Sequence, residues 1–258
     1  MVFSWKRTAQ ATMLGLGLLG AAANRADAAL ILSYEAAGVQ ASTVAGVTTE
    51  MFNPTGSGAI AAGRYASLNT AVGTISSPGA SVLVANVYGG AGGSGNYFAV
   101  GAQSGTLSAT LTLNGAESYF GFWWSAADRN NMVDFYSGGQ LLGSLSTATA
   151  INALGSAFNG NPNSNQSGNT GEKYAYLNVT GTNGTTIDQV VFRNASLSTG
   201  FESDNFSIRS APLPGPSGTV INGGIAVPEP SSLIMASIGG LMGAGTWFRT
   251  RRRTAAQA

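Results

Sequence analysis

An all-β fold, a single jelly-roll-like β-sandwich, is predicted by three features of the chain. From Leu30 onward it runs in short stretches of Val, Ile, Leu, Thr, Phe and Tyr separated by Gly, Asn, Ser and Pro, a spacing that reads as strands and turns. No amphipathic helix longer than a couple of turns interrupts that pattern. One unit has the form of a hairpin: Met132 to Tyr136 and Leu141 to Leu145 flank Ser137-Gly138-Gly139-Gln140, whose paired glycines supply the positive φ of a tight turn. So many short antiparallel segments favour a jelly-roll-like sandwich.

The first element is not part of that domain. Lys6 and Arg7 precede an apolar segment from Ala9 to Ala23, and Ala26-Asp27-Ala28 places small residues at the two positions that signal peptidase reads. Residues 1–28 are therefore expected to be a secretory signal peptide, cleaved after Ala28.

The β-domain is expected over residues 29–210. Its strands are predicted at Leu30 to Tyr34, Thr48 to Phe52, Val72 to Ser76, Tyr97 to Val100, Leu107 to Leu113, Tyr119 to Ser125, Met132 to Tyr136, Leu141 to Ser146, Tyr174 to Val179, Ile187 to Asn194 and Asn205 to Arg209. In Tyr119-Phe120-Gly121-Phe122-Trp123-Trp124, the period of two puts Tyr119, Gly121 and Trp123 on one face and Phe120, Phe122 and Trp124 on the other. Aromatic residues on both faces predict a central strand covered twice. Tyr88 to Asn96, with five glycines, and Asn159 to Gly171, almost wholly polar, lack apolar groups to hold them on a core and are expected as mobile surface loops.

Residues 211–226, rich in Pro and Gly, read as a semi-extended linker. Beyond them stands a tail over residues 227–253. Val227-Pro228-Glu229-Pro230 excludes helix, an uncharged apolar run follows, and Arg249, Arg251, Arg252 and Arg253 close it. A transmembrane helix over residues 231–248 would be short, at the lower edge of the roughly 17–25 residues a span requires. Gly239, Gly240, Gly243 and Gly245 suit a membrane helix better than one in water. The arginines would retain the far end in the cytoplasm.

That order of parts resembles the PEP-CTERM sorting signal of bacteria that use an exosortase. The body resembles exosortase-dependent surface proteins in Tyr119 to Ser125, Phe135-Tyr136-Ser137-Gly138-Gly139, Tyr174-Ala175-Tyr176-Leu177-Asn178 and Gly200-Phe201-Glu202-Ser203-Asp204-Asn205. The resemblance implies export through the inner membrane, a transiently membrane-anchored precursor, processing near Pro228-Glu229-Pro230, and release to the cell surface or the extracellular matrix. Implied partners are signal peptidase, an exosortase and, in the matrix, exopolysaccharide or biofilm. The resemblance says little about activity; the expected role is structural or adhesive, with a carbohydrate-binding module as the alternative and a glycoside hydrolase third.

Charge and composition narrow the chemistry. The chain carries a formal charge of +1, but between residues 29 and 226 five basic side chains face nine acidic ones. That acidic balance argues against nucleic acid as a partner. With neither cysteine nor histidine, thiol nucleophiles, disulfides, thiolate metal sites and the commonest general base are all missing. No enzyme is expected, and no cofactor except calcium. Glu35, Glu202 and Asp204, with Asn205, would offer that ion hard oxygen ligands; the alternative is that they cap turns. Among the carboxylates, Asp128, Asp134, Glu202 and Asp204 are the candidates for a glycosidase pair. Trp123, Trp124 and Tyr136 would form a glycan-stacking platform if exposed, and core if buried.

Overall fold

Alternation of apolar and polar residues becomes strand pairing in the computed structural model, which describes residues 29–227. In chain order the described strands are β1 (Ala29–Tyr34), β2 (Thr48–Glu50), β3 (Gly63–Thr70), β4 (Gly73–Val84), β5 (Asn96–Gly101), β6 (Ser108–Glu117), β7 (Tyr119–Ala127), β8 (Asn131–Ser137), β9 (Gln140–Leu145), β10 (Lys173–Thr182), β11 (Ile187–Asn194), β12 (Gly200–Arg209), β13 (Thr219–Val220) and β14 (Ile225–Ala226). One short helix, α1 (Thr147–Ala153), follows β9. The expected signal peptide with Ala26 and Ala28, and Pro228, Glu229, Pro230, the apolar run at 231–248 and the four tail arginines, lie outside the described residues. Among the described residues no helix is long and apolar enough to cross a membrane.

Every described pairing is antiparallel, and the strands run β13-β1-β10-β7-β12-β5-β4-β6-β11-β8-β9-β14, with β2 beside β12 and β3 beside β4. The path folds into an all-β sandwich. Strands β1, β10, β7 and β12 form a first layer, and β6, β11, β8 and β9 a second. Between them β4 changes partner: Gly73–Ser76 pairs with β6, whereas Ser81–Val84 pairs with β5.

Aromatic rings hold the layers together. Phe120 and Phe122 of β7, Phe98 of β5, and Phe201 and Phe206 of β12 meet Phe192 of β11 at ring-centroid distances of 5.0–6.3 Å. Strand β7 is buried along its whole length. Phe120, Phe122 and Trp124 join the main core, and Trp123 joins a separate cluster with Tyr174 and Tyr176. The two-sided covering expected for this strand is present.

The β8–β9 hairpin forms as the glycines dictate, with φ of 54° at Gly138 and 75° at Gly139. Strand β3 carries no strong apolar signal because it pairs only with β4 and leaves most side chains in solvent. Strand β12 begins at Gly200 rather than Asn205; a register shift between Asp204 and Ser207, with Asn205 at φ 51°, breaks its alternation.

Two further segments differ from expectation. The stretches around Tyr88 to Asn96 and Asn159 to Gly171 are tied to each other and to the first layer by side-chain amides. Residues 211–226, expected as a linker, hold to the domain at both ends. Val220 and Thr219 pair with Ser33 and Tyr34, and the Ile221 N–H donates to the Leu32 carbonyl at 2.9 Å. Ile225 and Ala226 pair with Leu145 and Ser144, and the Ser146 N–H donates to the Gly224 carbonyl at 2.8 Å. A strap from Thr219 to Ala226 thus links the first strand of one layer to the last strand of the other. Proline and glycine content concealed it, since two-residue strands leave no periodicity to read.

Candidate functional site

The two layers present unlike outer faces. On the first layer the outward residues are aromatic and buried: Trp123 is 1% exposed, Tyr176 0% and Tyr174 2%, and the Trp123 and Tyr174 rings lie 5.8 Å apart. Gly121 leaves room among them, since a Cβ at that position would overlap the hydroxyls of Tyr119 and Tyr176. The Tyr119 hydroxyl donates to Asn178 Oδ1 at 2.6 Å, and Asn178 Nδ2 donates to Glu35 Oε1 at 2.9 Å. Burial pushes the Tyr119 hydroxyl up to about 12.

Amide side chains lay the two glycine- and asparagine-rich loops over this face. Gln40 and Asn163 exchange hydrogen bonds, Nε2 to Oδ1 at 3.0 Å and Nδ2 to Oε1 at 3.1 Å. Asn161 Nδ2 donates to the Val87 carbonyl at 3.1 Å, and Asn165 Nδ2 to the Gly93 carbonyl at 2.9 Å. The Tyr174 hydroxyl donates to the same Val87 carbonyl at 2.7 Å. Each amide carries both donors and an acceptor, so backbone groups that no strand satisfies are satisfied by side chains.

This geometry sets Glu35 apart from Glu202 and Asp204, the other two carboxylates considered for calcium. Glu35 follows β1, its N–H donating to the Tyr176 carbonyl of β10; Tyr176 pairs with Trp123 of β7, and Trp123 with Asp204 of β12. Three strand spacings, on the order of 14 Å, therefore separate Glu35 from Asp204. Glu35 Oε1 accepts from Thr43, Asn178 and Ser217. Asp204 accepts the backbone N–H groups of Ala91 at 2.8 Å and Asn205 at 2.7 Å, and Glu202 accepts from Gln103 Nε2 at 2.6 Å. Burial raises both acids, Asp204 well above the carboxylate range and Glu202 to about 8, with Glu172 and Asp128 adding repulsion at Glu202. Among the described residues no group of three acidic side chains is placed to hold a metal ion. Asn205 donates its side-chain amide to the Gln40 carbonyl at 2.6 Å, so it too serves the loop cover.

The three residues considered for a stacking platform divide between core and surface. Trp123 lies under the loops, and Trp124, 0% exposed, donates Nε1–H to Asn131 Oδ1 at 2.8 Å within the sandwich. Only Tyr136, half-buried, reaches solvent, and it does so on the second layer.

There the register sets out uncovered rows of side chains. One row crosses five strands as Thr74, Thr112, Gln189, Tyr136 and Leu141. The next runs Ser76, Thr110, Val191, Asp134 and Ser144. All ten are exposed or half-buried except Asp134. Asp134 accepts Arg193 Nη2 at 2.5 Å and the Ser144 hydroxyl at 2.6 Å, so these two charges neutralise each other, while Asp188 stands at the edge of the rows and accepts the Gly138 N–H of the β8–β9 turn. Sequence alone does not single out Gln189, Thr112 or Ser144. The available signal is the hairpin, where the period of two puts Met132, Asp134 and Tyr136 on one side of β8.

The family model of the PEP-CTERM protein-sorting motif matches residues 226–253. The chain carries that motif, which marks an exported protein sorted by an exosortase. No curated protein and no solved structure matches the chain.

Proposed function

We propose that this exosortase-sorted domain is a structural, adhesive component of the extracellular matrix that contacts exopolysaccharide through the outer face of its second layer. The observation that carries the reading is the row Thr74, Thr112, Gln189, Tyr136 and Leu141, in register across five strands and open to solvent. Hydroxyls and an amide there can exchange hydrogen bonds with sugar hydroxyls, and a tyrosine ring can stack on a sugar face. Because Asp134 and Arg193 are paired, the face suits an uncharged glycan.

A hydrolase is disfavoured by where the carboxylates lie. Asp134 is bound to Arg193 on the open face, whereas Glu202 and Asp204 lie beneath the loops of the other layer. Asp128 accepts the Asn130 N–H at 2.6 Å within its own turn, and Glu202, which feels its charge, is buried and bonded to Gln103. A glycosidase needs two carboxyl groups facing one glycosidic bond, about 5 or 6.5–9.5 Å apart.

Retention on insoluble neutral polysaccharide tests the proposal. Tyr136→Ala and Gln189→Ala are expected to weaken retention about tenfold each, as befits the loss of roughly 1.4 kcal/mol. Tyr88→Ala, an exposed tyrosine outside these rows, should leave it unchanged. Equal retention of all three variants, or none by the native protein on any glycan, sinks the reading.

A further inference from the structure

The sorting motif begins inside the folded domain. Its match starts at Ala226, and Ala226 is the last residue of β14, paired with Ser144 of β9. Only Val227, 58% exposed, separates that pairing from Pro228. At about 3.3 Å per extended residue, Pro230 stands no more than roughly 13 Å along the chain from Ala226. An enzyme that recognises an extended peptide does so largely through backbone N–H and C=O groups. The Ser146 N–H bonds the Gly224 carbonyl, so by the alternation of an antiparallel ladder the next hydrogen-bonded pair is Ser144 with Ala226, and the Ala226 groups are already engaged by the edge of β9.

We infer that β14 must leave β9 before the processing enzyme can take Ile225 to Val227, so that the domain edge and the enzyme compete for the same short strand. The inference rests on the sorting reading above and adds a conformational step to it. Three features make β14 the detachable part of the strap. It is only two residues long, whereas β9 has six. Its upstream anchor is separate and firm, since Ile221 is 5% exposed in the core and bonded to Leu32. Between anchor and strand lies the turn Asn222-Gly223, with Gly223 at φ 68°, a hinge that a side chain with Cβ would strain. The seat itself is shaped for the strand: a Cβ on Gly143 would overlap the Ile225 side chain. Peeling from Gly224 onward breaks the ladder hydrogen bonds and lifts the half-buried Ile225 side chain off the core, and no covalent bond of the domain changes.

A disulfide lock tests this in the full chain, which has no cysteine of its own. Ser144→Cys with Ala226→Cys joins paired positions whose Cα separation in an antiparallel ladder lies within disulfide range. In the exporting cell, the oxidised double variant is expected to lose its tail at least tenfold more slowly than either single variant. Reductant, or a six-residue Gly-Ser insertion between Ala226 and Val227, should restore the rate. Processing of the oxidised variant at the native rate overturns the inference, and so does a block that neither reductant nor spacer relieves. If the native chain itself keeps its tail, the sorting reading fails and takes this inference with it; if the native and locked chains are processed alike, only the inference fails.

Discussion

The rings of Phe192 and Phe206 lie nearly parallel, 5.0 Å between centroids and 8° between planes, across the two layers of the sandwich. Phe192 comes from β11 in the second layer and Phe206 from β12 in the first, and residues 195–199 carry the chain from one strand to the other. Phe98, Phe120, Phe122 and Phe201 complete the ring contacts of Phe192. The chain has no cysteine to brace the layers with a disulfide, so this cluster is the main clasp between them.

Phe192→Ala is accordingly expected to destabilise the domain by about 3–5 kcal/mol, the usual range for deleting a buried phenylalanine. Phe192→Leu, which keeps most of the volume, should cost about half as much. Urea denaturation followed by tryptophan fluorescence measures both. A loss below about 1 kcal/mol for the alanine variant would remove Phe192 from the centre of the core.

Strand β7 and the β8–β9 hairpin are legible in the sequence because their signals are local: period-two aromatics in one case and paired glycines in the other. The strap is not legible. Thr219-Val220 and Ile225-Ala226 are too short to show alternation, and they become strands only because β1 and β9 offer free edges. The loop cover escapes the sequence for a different reason. A segment without apolar groups can still be fixed when its amides find partners, and Gln40, far from both loops in sequence, bonds to each of them.

Asn163→Ala should therefore loosen the cover more than the core. The variant deletes the reciprocal pair with Gln40 and leaves buried polar groups unpaired, at about 1–3 kcal/mol. Hydrogen exchange is expected to quicken at Gly90 to Gly93 and Asn161 to Gln166, while β7 and β10 keep their protection. Uniform acceleration across the domain would show that the cover and core open as one body.

Stability is expected to fall as pH rises from about 5 to about 8. Burial lifts Glu202 from 4.5 to about 8, and it pushes Asp204 and Glu172 upward as well. A raised folded-state value means that the neutral acid favours folding. That contribution is fully present below the unfolded value and is lost as pH rises through the folded one, at up to about 1.4 kcal/mol for each pH step between the two. Thermal melts at pH 5 and pH 8 check the slope. Glu202→Gln keeps an acceptor for Gln103 and should flatten it; an unchanged slope would assign the effect to Asp204, Glu172 and Glu117, which burial also raises.

The open face of the second layer is half legible. Tyr136 stands out as an aromatic that sugars could stack on, but Trp123 and Trp124 draw attention away, because a dense aromatic strand looks alike whether its faces are covered or bare. Which layer carries the loops is decided by contacts between residues as distant as Gln40 and Asn163. Local sequence holds no record of that.

The pairing of Asp134 with Arg193 supplies the last prediction. Asp134 is 4% exposed along its side chain and Arg193 42%, so the carboxylate is the partner that depends on the contact. Arg193→Met leaves Asp134 with the Ser144 hydroxyl as its remaining side-chain donor. Because Arg193 is part-exposed and water can replace some of it, the cost should fall between the surface and buried limits, about 1–3 kcal/mol. Asp134→Asn should cost less, since the part-exposed guanidinium can regain water at its outer end. Combining the two should be milder than their sum, and that shortfall in a double-variant cycle is the coupling. Strict additivity would mean that the two charges do not neutralise each other, and the face could then no longer be treated as uncharged.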